Sequence, residues 1–517
     1  MEKRNLVRLA AIVAVVALFA GKRFLGSDEK GGHTAPPDAG PAIEQKAGER
    51  GFTLGSLAFA PCELDQKNSG ATTAAFCAPM QVPENWDKPD GRKLDLKLAL
   101  VRSDAQAAAR DLVVFIAGGP GQSATESYPN VAPGLAPLRR HRNILLLDQR
   151  GTGGSHSLIC KQALDDSDAS EIDYAKIREQ ARACLDEVSK TADPAQFTTT
   201  AAVRDLEAVR QALGAPRFNM IGVSYGTRVA QQYAMRYPDG VRSLVLDSAA
   251  PNELVLGSEF AVALEDSLKA QFALCTKTPA CAKAFGDPYV SLYRLRDALV
   301  AKPAAVEIRN PRSFQIESKA LSAFTLAQLV RLYAYTPETG ALLPLVIDRA
   351  LKGDTAPLVE QSTLVFDELS DLGGNGMQLS VICSEDADLM TDRGADAKLL
   401  LGDAMTKVLA AQCEIWPHGT RPKNFHDPIA SDKPALILSG EFDPVTPPRY
   451  ADRIVKGLPS GRVLHASGQG HGLLNRGCFP KLIGKFIETL DAKALDAACV
   501  DQFGPTPAFI DYNGATP

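Results

Sequence analysis

Phe218-Asn219-Met220-Ile221-Gly222-Val223-Ser224-Tyr225-Gly226-Thr227 is the stretch on which the reading of this 517-residue chain turns. An apolar run, Phe218 to Val223, ends on a serine, and a helix-like run from Thr227 to Tyr237 follows. A serine at a sharp strand-to-helix turn is held out above the sheet, where a histidine can reach its hydroxyl. Glycines two before and two after it let the backbone cross itself closely. This is the pattern of a nucleophile elbow, and it points to acyl transfer through a serine ester. The pentapeptide alone is a weak signal in a chain with 41 glycines, where it also fits a plain turn. The strand and helix on either side favour the elbow.

Working outward, short β-rich runs recur at Leu96 to Val101, Asp111 to Ala117, Asn143 to Leu147, Ser243 to Leu246, Ala435 to Leu438 and Arg462 to His465. Most are continuously apolar, as in strands buried on both faces. Helical runs such as Thr199 to Leu213 lie between them. The fold class is therefore α/β, with a mostly parallel central sheet and helices on both faces. The pattern breaks over 249–432, where Val262 to Thr276, Tyr289 to Val300, Thr325 to Tyr335 and Leu342 to Leu351 read as helices. We expect an inserted helical cap there, between core segments 51–248 and 433–500. A Pro/Gly-rich C-terminal extension, 501–517, is expected along the surface.

A serine nucleophile needs a general base, a group that orients the base, and donors for the oxyanion. The acid and base are expected after the serine, each in a loop at the carboxyl end of a strand. Asp443 lies in Ser439-Gly440-Glu441-Phe442-Asp443-Pro444, just past the strand ending at Leu438. His471 lies in Gly468-Gln469-Gly470-His471-Gly472, past the next strand. Of seven histidines it alone has the right order and loop. Glu441 and Asp247 are alternatives for the acid. The oxyanion donors are expected to be the amides of Tyr225 and Gly119. Gly119 belongs to Gly118-Gly119-Pro120-Gly121 after an early strand. In Asp148-Gln149-Arg150-Gly151, Asp148 and Arg150 could form an internal ion pair that braces the site.

Together, Gly118-Gly119-Pro120-Gly121, Asp148-Gln149-Arg150-Gly151-x-Gly153-x-Ser155, Gly222-x-Ser224-Tyr225-Gly226, Asp443-Pro444-Val445-Thr446-Pro447 and Gly470-His471-Gly472 resemble the prolyl aminopeptidase and tripeptidyl aminopeptidase group of α/β-hydrolases. The resemblance covers roughly Phe52 to Cys499. Ala117 stands where prolyl aminopeptidases usually carry a histidine, which suits the tripeptidyl branch. The resemblance implies removal of residues from peptide N-termini by a Ser224, Asp443, His471 triad. Such an enzyme needs an acid for the substrate's ammonium. The segment Val381-Ile382-Cys383-Ser384-Glu385-Asp386 is similar to one common in the group, and it implies Glu385, with Asp386, as the amine anchor.

The net charge is −5, and no basic stretch alternates with aromatics, which argues against nucleic acid as a partner. No metal or organic cofactor is implied. Lys3, Arg4 and Arg8 precede the apolar stretch Leu9 to Gly21, the arrangement of a signal peptide. Cleavage after Ala20 or Ala17 fits poorly, so an uncleaved membrane anchor over Leu6 to Gly21 is the alternative. Residues 22–50 read as a disordered tether. The expected location is periplasmic or secreted. Ten cysteines fall into five successive near neighbours: Cys62–Cys77, Cys160–Cys184, Cys275–Cys281, Cys383–Cys413 and Cys478–Cys499. Disulfides are the natural reading for an exported chain, although sequence leaves other connectivities open.

The leading expectation is an exported serine exopeptidase acting on peptide substrates. The same triad also serves a carboxylesterase or another acyl hydrolase. A non-catalytic binding protein on this scaffold would be expected to lack a triad member, and all three are present in order.

Overall fold

The computed structural model describes residues 40–44, 50–66, 70–160, 172–311, 313–371, 375–391 and 393–515. The side chains of 364–371 and of Asn375 are left aside. The expected signal peptide or anchor, and most of the expected tether, lie outside the described residues. Among the described residues no helix is long and apolar enough to cross a membrane. At the end of the tether the expectation of disorder is corrected for 40–44. Ile43 packs on the main core, and Glu44 exchanges backbone hydrogen bonds with Thr53.

Ten strands form one sheet in the order β1-β2-β3-β4-β6-β5-β7-β8-β11-β12. Their ranges are β1 Phe52–Leu54, β2 Leu57–Asp65, β3 Thr72–Pro83, β4 Lys93–Val101, β5 Ala109–Ile116, β6 Arg142–Leu147, β7 Phe218–Val223, β8 Val241–Asp247, β11 Ala435–Gly440 and β12 Gly461–Ala466. From β6 to β12 across the sheet every pairing is parallel; β1 to β4 form an antiparallel flank that joins β6 antiparallel. The flank strands β1 to β3 escaped the sequence reading because they are only half apolar, and β2 alternates exposed with buried residues.

The parallel strands are apolar throughout because each is covered on both faces. Val114 and Leu246 pack into one core, and Val113 and Val245 into another on the opposite face. Each such buried side chain contributes about 1.5–3 kcal/mol relative to exposure. Because β5, β7, β8, β11 and β12 run in the same direction, the loops after them gather at one edge of the sheet. Ligands of open α/β sheets bind at that edge.

A third apolar cluster sits among the helices Phe260–Lys277, Pro288–Ala301, Ala323–Tyr333 and Leu343–Leu351. A small hairpin, β9 Ala304–Arg309 and β10 Ile316–Leu321, joins them. The helices Asn375–Glu385 and Ala404–Cys413 belong instead to the main core, through Met377, Val381, Ile382, Leu409 and Cys413. All five cysteine pairs are those expected from the spacing. In the C-terminal extension, Phe503 stacks on Phe479, and the Phe509 amide donates to the carbonyl of Ala341.

Candidate active site

Ser224 stands between β7 and the helix Tyr225–Arg236, with φ of 55°. That left-handed conformation costs a non-glycine residue about 1–3 kcal/mol and persists only where its surroundings enforce it. Here they do. The Ser224 amide donates to the carbonyl of Asp247 at 2.9 Å, and the Thr227 hydroxyl donates to the Ser224 carbonyl at 2.6 Å. A Cβ on Gly222 would lie 2.4 Å from the Gly226 carbonyl oxygen, and one on Gly226 would lie 2.3 Å from that of Ile116. The two glycines are therefore dictated by the close crossing of the turn over the end of β5.

The loop after β5 lies against the nucleophile. A Cβ on Gly118 would sit 3.1 Å from the Ser224 Cβ. Gly119 is exposed, with φ of 107°, and is followed by a cis peptide bond to Pro120. Tyr225 is the first residue of the helix beyond Ser224, so its amide is one of those at the helix start without an intrahelical partner.

On the other side of the site, His471 Nδ1 lies 2.8 Å and 3.0 Å from the two carboxylate oxygens of Asp443. Asp443 is buried and also accepts from the amides of Val445 and Thr446 and from the Thr446 hydroxyl. With the Nδ1 proton given to the carboxylate, Nε2 is left as the base. Burial disfavours the charged forms of both groups, but their mutual attraction and hydrogen bond outweigh it. Asp443 is held below the ordinary carboxylate range, and His471 is raised above the ordinary imidazole value. Asp247 adds to the rise in His471, and Arg331 opposes it. The His471 amide donates to the Tyr335 carbonyl at 2.7 Å, and the Tyr335 ring meets the imidazole edge-on at 5.2 Å.

The two alternative acids have other partners. Glu441 accepts from the Ser467 hydroxyl and the Gly468 amide. Asp247 accepts from the amides of Leu473 and Leu474, and Ser248 Oγ accepts from that of Gly472. Three consecutive amides after His471 are thus clamped to the end of β8. Burial pushes Asp247 up to about 6 against those hydrogen bonds. This clamp was not anticipated, because the order of residues along the chain does not reveal which loop an acid will face.

The expected pairing of Asp148 with Arg150 is corrected. Asp148 accepts from the Ser123 and Thr125 hydroxyls and from the amides of Thr125 and Gly154. Arg150 makes a bidentate, fully buried pair with Asp205, with both nitrogens at 2.6 Å. Each group found a closer partner on a neighbouring segment.

The structure gives Glu385 and Asp386, the expected amine anchor, partners within the protein. Both are fully buried. The Glu385 carboxylate accepts from the Thr199 amide at 2.5 Å and from the Thr199 hydroxyl at 2.8 Å; that hydroxyl also meets the Tyr225 phenol. Asp386 pairs with buried Arg228 at 2.9 Å. The reason is that their helix belongs to the main core, so its terminal acids brace segments against one another. Burial pushes Glu385 up to about 8, with Arg228 opposing the rise and Asp386 adding to it.

A family model described as the alpha/beta hydrolase fold matches residues 111–474, which include all three of Ser224, Asp443 and His471. The chain belongs to the α/β-hydrolase family. This hydrolase is 25% identical over 94% of its length to the serine protease Hip1 of Mycobacterium tuberculosis, covering 95% of that protein. It is 29% identical to the tripeptidyl aminopeptidase of Streptomyces lividans, over 33% of this chain and 35% of that one. Among solved structures, the proline iminopeptidase of Mycobacterium smegmatis aligns with a TM-score of 0.35 at 16% identity, over 81% of this chain and 100% of that one.

Proposed function

We propose that this α/β-hydrolase is an exported serine exopeptidase that releases short peptides or single residues from the N-termini of peptides. The observation that carries the reading is the Asp443–His471 pair at the same sheet edge as the strained Ser224 elbow. Likeness to a serine protease along nearly the whole chain supports peptides as substrates, and the tripeptidyl aminopeptidase likeness supports the exo mode. His471 Nε2 takes the Ser224 proton as the hydroxyl oxygen attacks the peptide carbonyl. The amides of Tyr225 and Gly119 receive the oxyanion. His471 then gives the proton to the departing amine, and water hydrolyses the acyl-enzyme by the same steps.

Export accords with the basic and apolar N-terminal stretch and with five disulfides, a density that belongs to oxidising compartments. The N-terminal segment serves as a signal peptide or as a membrane anchor. A carboxylesterase is the second reading, favoured by the burial of Glu385 and Asp386, which leaves the expected ammonium partner out of the cleft.

Incubation with matched free and N-blocked peptides, read by mass spectrometry, tests the function. N-terminal products from free peptides alone support it. Cleavage of esters with all peptides left intact overturns it. Labelling by a fluorophosphonate, lost in Ser224→Ala, tests the nucleophile independently.

A further inference from the structure

Arg331 is a charged group near the triad that the mechanism above does not use. It lies on the helix Ala323–Tyr333, with its guanidinium carbon 4.9 Å from the centre of the Phe260 ring and 5.7 Å from that of Tyr335. Tyr335 in turn touches His471 through both its ring and its carbonyl. The guanidinium has no ion-pair partner among the described residues, and its Nε is buried without a hydrogen bond. Two other arginines are paired: Arg449 with Asp266 and Arg476 with Glu338.

A cation separated from this histidine by the Tyr335 ring works against catalysis. His471 must become imidazolium as it takes the serine proton, and Arg331 opposes that charge. An anion arriving with the substrate would remove the opposition at the moment it matters. An interaction of this kind favours the transition state over the free enzyme. The side of the site is also specified. His471 protonates the departing nitrogen, so groups beside it face the leaving half of the substrate. A residue spans roughly 3.5 Å, so a carboxylate within one or two residues of the scissile bond falls in this neighbourhood.

We propose that Arg331 is a specificity determinant that binds the free α-carboxylate of a short leaving group. The preferred substrates are then oligopeptides cut within one or two residues of their C-terminus. This rests on the peptidase reading and adds a limit on the leaving side. The planar guanidinium suits a carboxylate, which it can grip with two parallel hydrogen bonds. The Phe260 and Tyr335 rings pack against it.

The test compares one tetrapeptide as its free acid and as its C-terminal amide, measured as kcat/KM with wild type, Arg331→Gln and Arg331→Lys. Wild type should favour the acid by roughly 10–100-fold, the range of a charged hydrogen-bonded contact. Arg331→Gln should lower the acid at least tenfold more than the amide, and Arg331→Lys should keep part of the preference. Equal rates on acid and amide in wild type overturn the Arg331 proposal and leave the peptidase reading standing. Equal losses on both substrates in Arg331→Gln do the same. Failure of wild type to cleave either peptide overturns the peptidase reading and the proposal with it. The wild-type comparison needs no variant, so it decides even where a substitution impairs folding.

Discussion

The carboxylate of Asp247 holds the backbone amide of Leu473, which lies 2.9 Å from each of its oxygens. The carbonyl of the same residue accepts the amide of the candidate nucleophile, Ser224. One residue at the end of β8 thus fixes both the elbow and the loop that carries the base. An asparagine here keeps one acceptor but points an amide group at backbone N–H donors. We expect Asp247→Asn to leave a buried donor unpaired, at about 1–3 kcal/mol of stability. It should also lower kcat roughly tenfold or more with a smaller change in KM, because the base is displaced rather than lost. Thermal melting and steady-state kinetics check both effects.

Asp443 acts on His471 directly, so its loss is larger and has a different pH signature. Asp443→Asn should lower kcat by roughly 10⁴-fold through the wrong imidazole tautomer. Catalysis needs neutral His471, so activity rises as pH passes its pKa. That pKa is raised in the folded enzyme because Asp443 outweighs burial, which places the limb above the ordinary 6.5. Asp443→Asn should move the limb to lower pH. Arg331→Gln should move it higher, since Arg331 opposes the imidazolium. For stability the signs combine. The raised His471 contributes fully below 6.5 and loses this as pH rises through its folded value. The lowered Asp443 contributes fully above 3.8 and loses this as pH falls through its folded value. The pair therefore stabilises most between about 4 and 6.5. The pH dependence of kcat/KM and of unfolding checks these directions.

Glu385 is expected to behave as a brace and not as a substrate anchor. Glu385→Gln should change kcat/KM for free-amine and N-blocked peptides by the same factor. A selective loss on the free amine would restore the anchor role. The folded protein keeps the Glu385 proton up to about 8, while the unfolded chain releases it near 4.5. Wild-type stability should therefore fall with rising pH across that window, and Glu385→Gln should flatten that component. Urea unfolding at a series of pH values measures it.

The Cys383–Cys413 bridge ties the helix that ends at Glu385 to the helix Ala404–Cys413, closing 30 residues of chain. Its removal by paired Ser substitutions should cost about 3–4 kcal/mol. The melting temperature should drop. Fluorophosphonate labelling of Ser224 should persist, since neither cysteine lies in the loops that form the triad.

Legibility in the sequence followed the range of the physics involved. The elbow, the buried parallel strands and the histidine loop are local patterns, written in glycine placement and continuous apolar runs. Order and loop position alone mark Ser224, Asp443 and His471 as candidates, and the structure brings Asp443 and His471 into contact. The burial of Glu385 was not legible, because an acid next to a cysteine reads the same whether its helix faces a cleft or a core. Arg331 carried no signal at all, since nothing near it in the chain marks it as reaching His471 through Tyr335.

The chain order and composition by themselves determined the α/β architecture and marked Ser224, Asp443 and His471 as candidates, while the cysteine pairing followed near neighbours without being fixed by them. These depend on residues a few positions apart or on strands that must bury both faces. Tertiary structure alone decided which charges stand at the site. It buried Glu385 and Asp386 in the core, committed Asp247 to the histidine loop and set Arg331, without an ion-pair partner among the described residues, against the Tyr335 ring that touches His471. A charge takes its role from the partner and the solvent it meets on folding, and those come from segments distant in the chain.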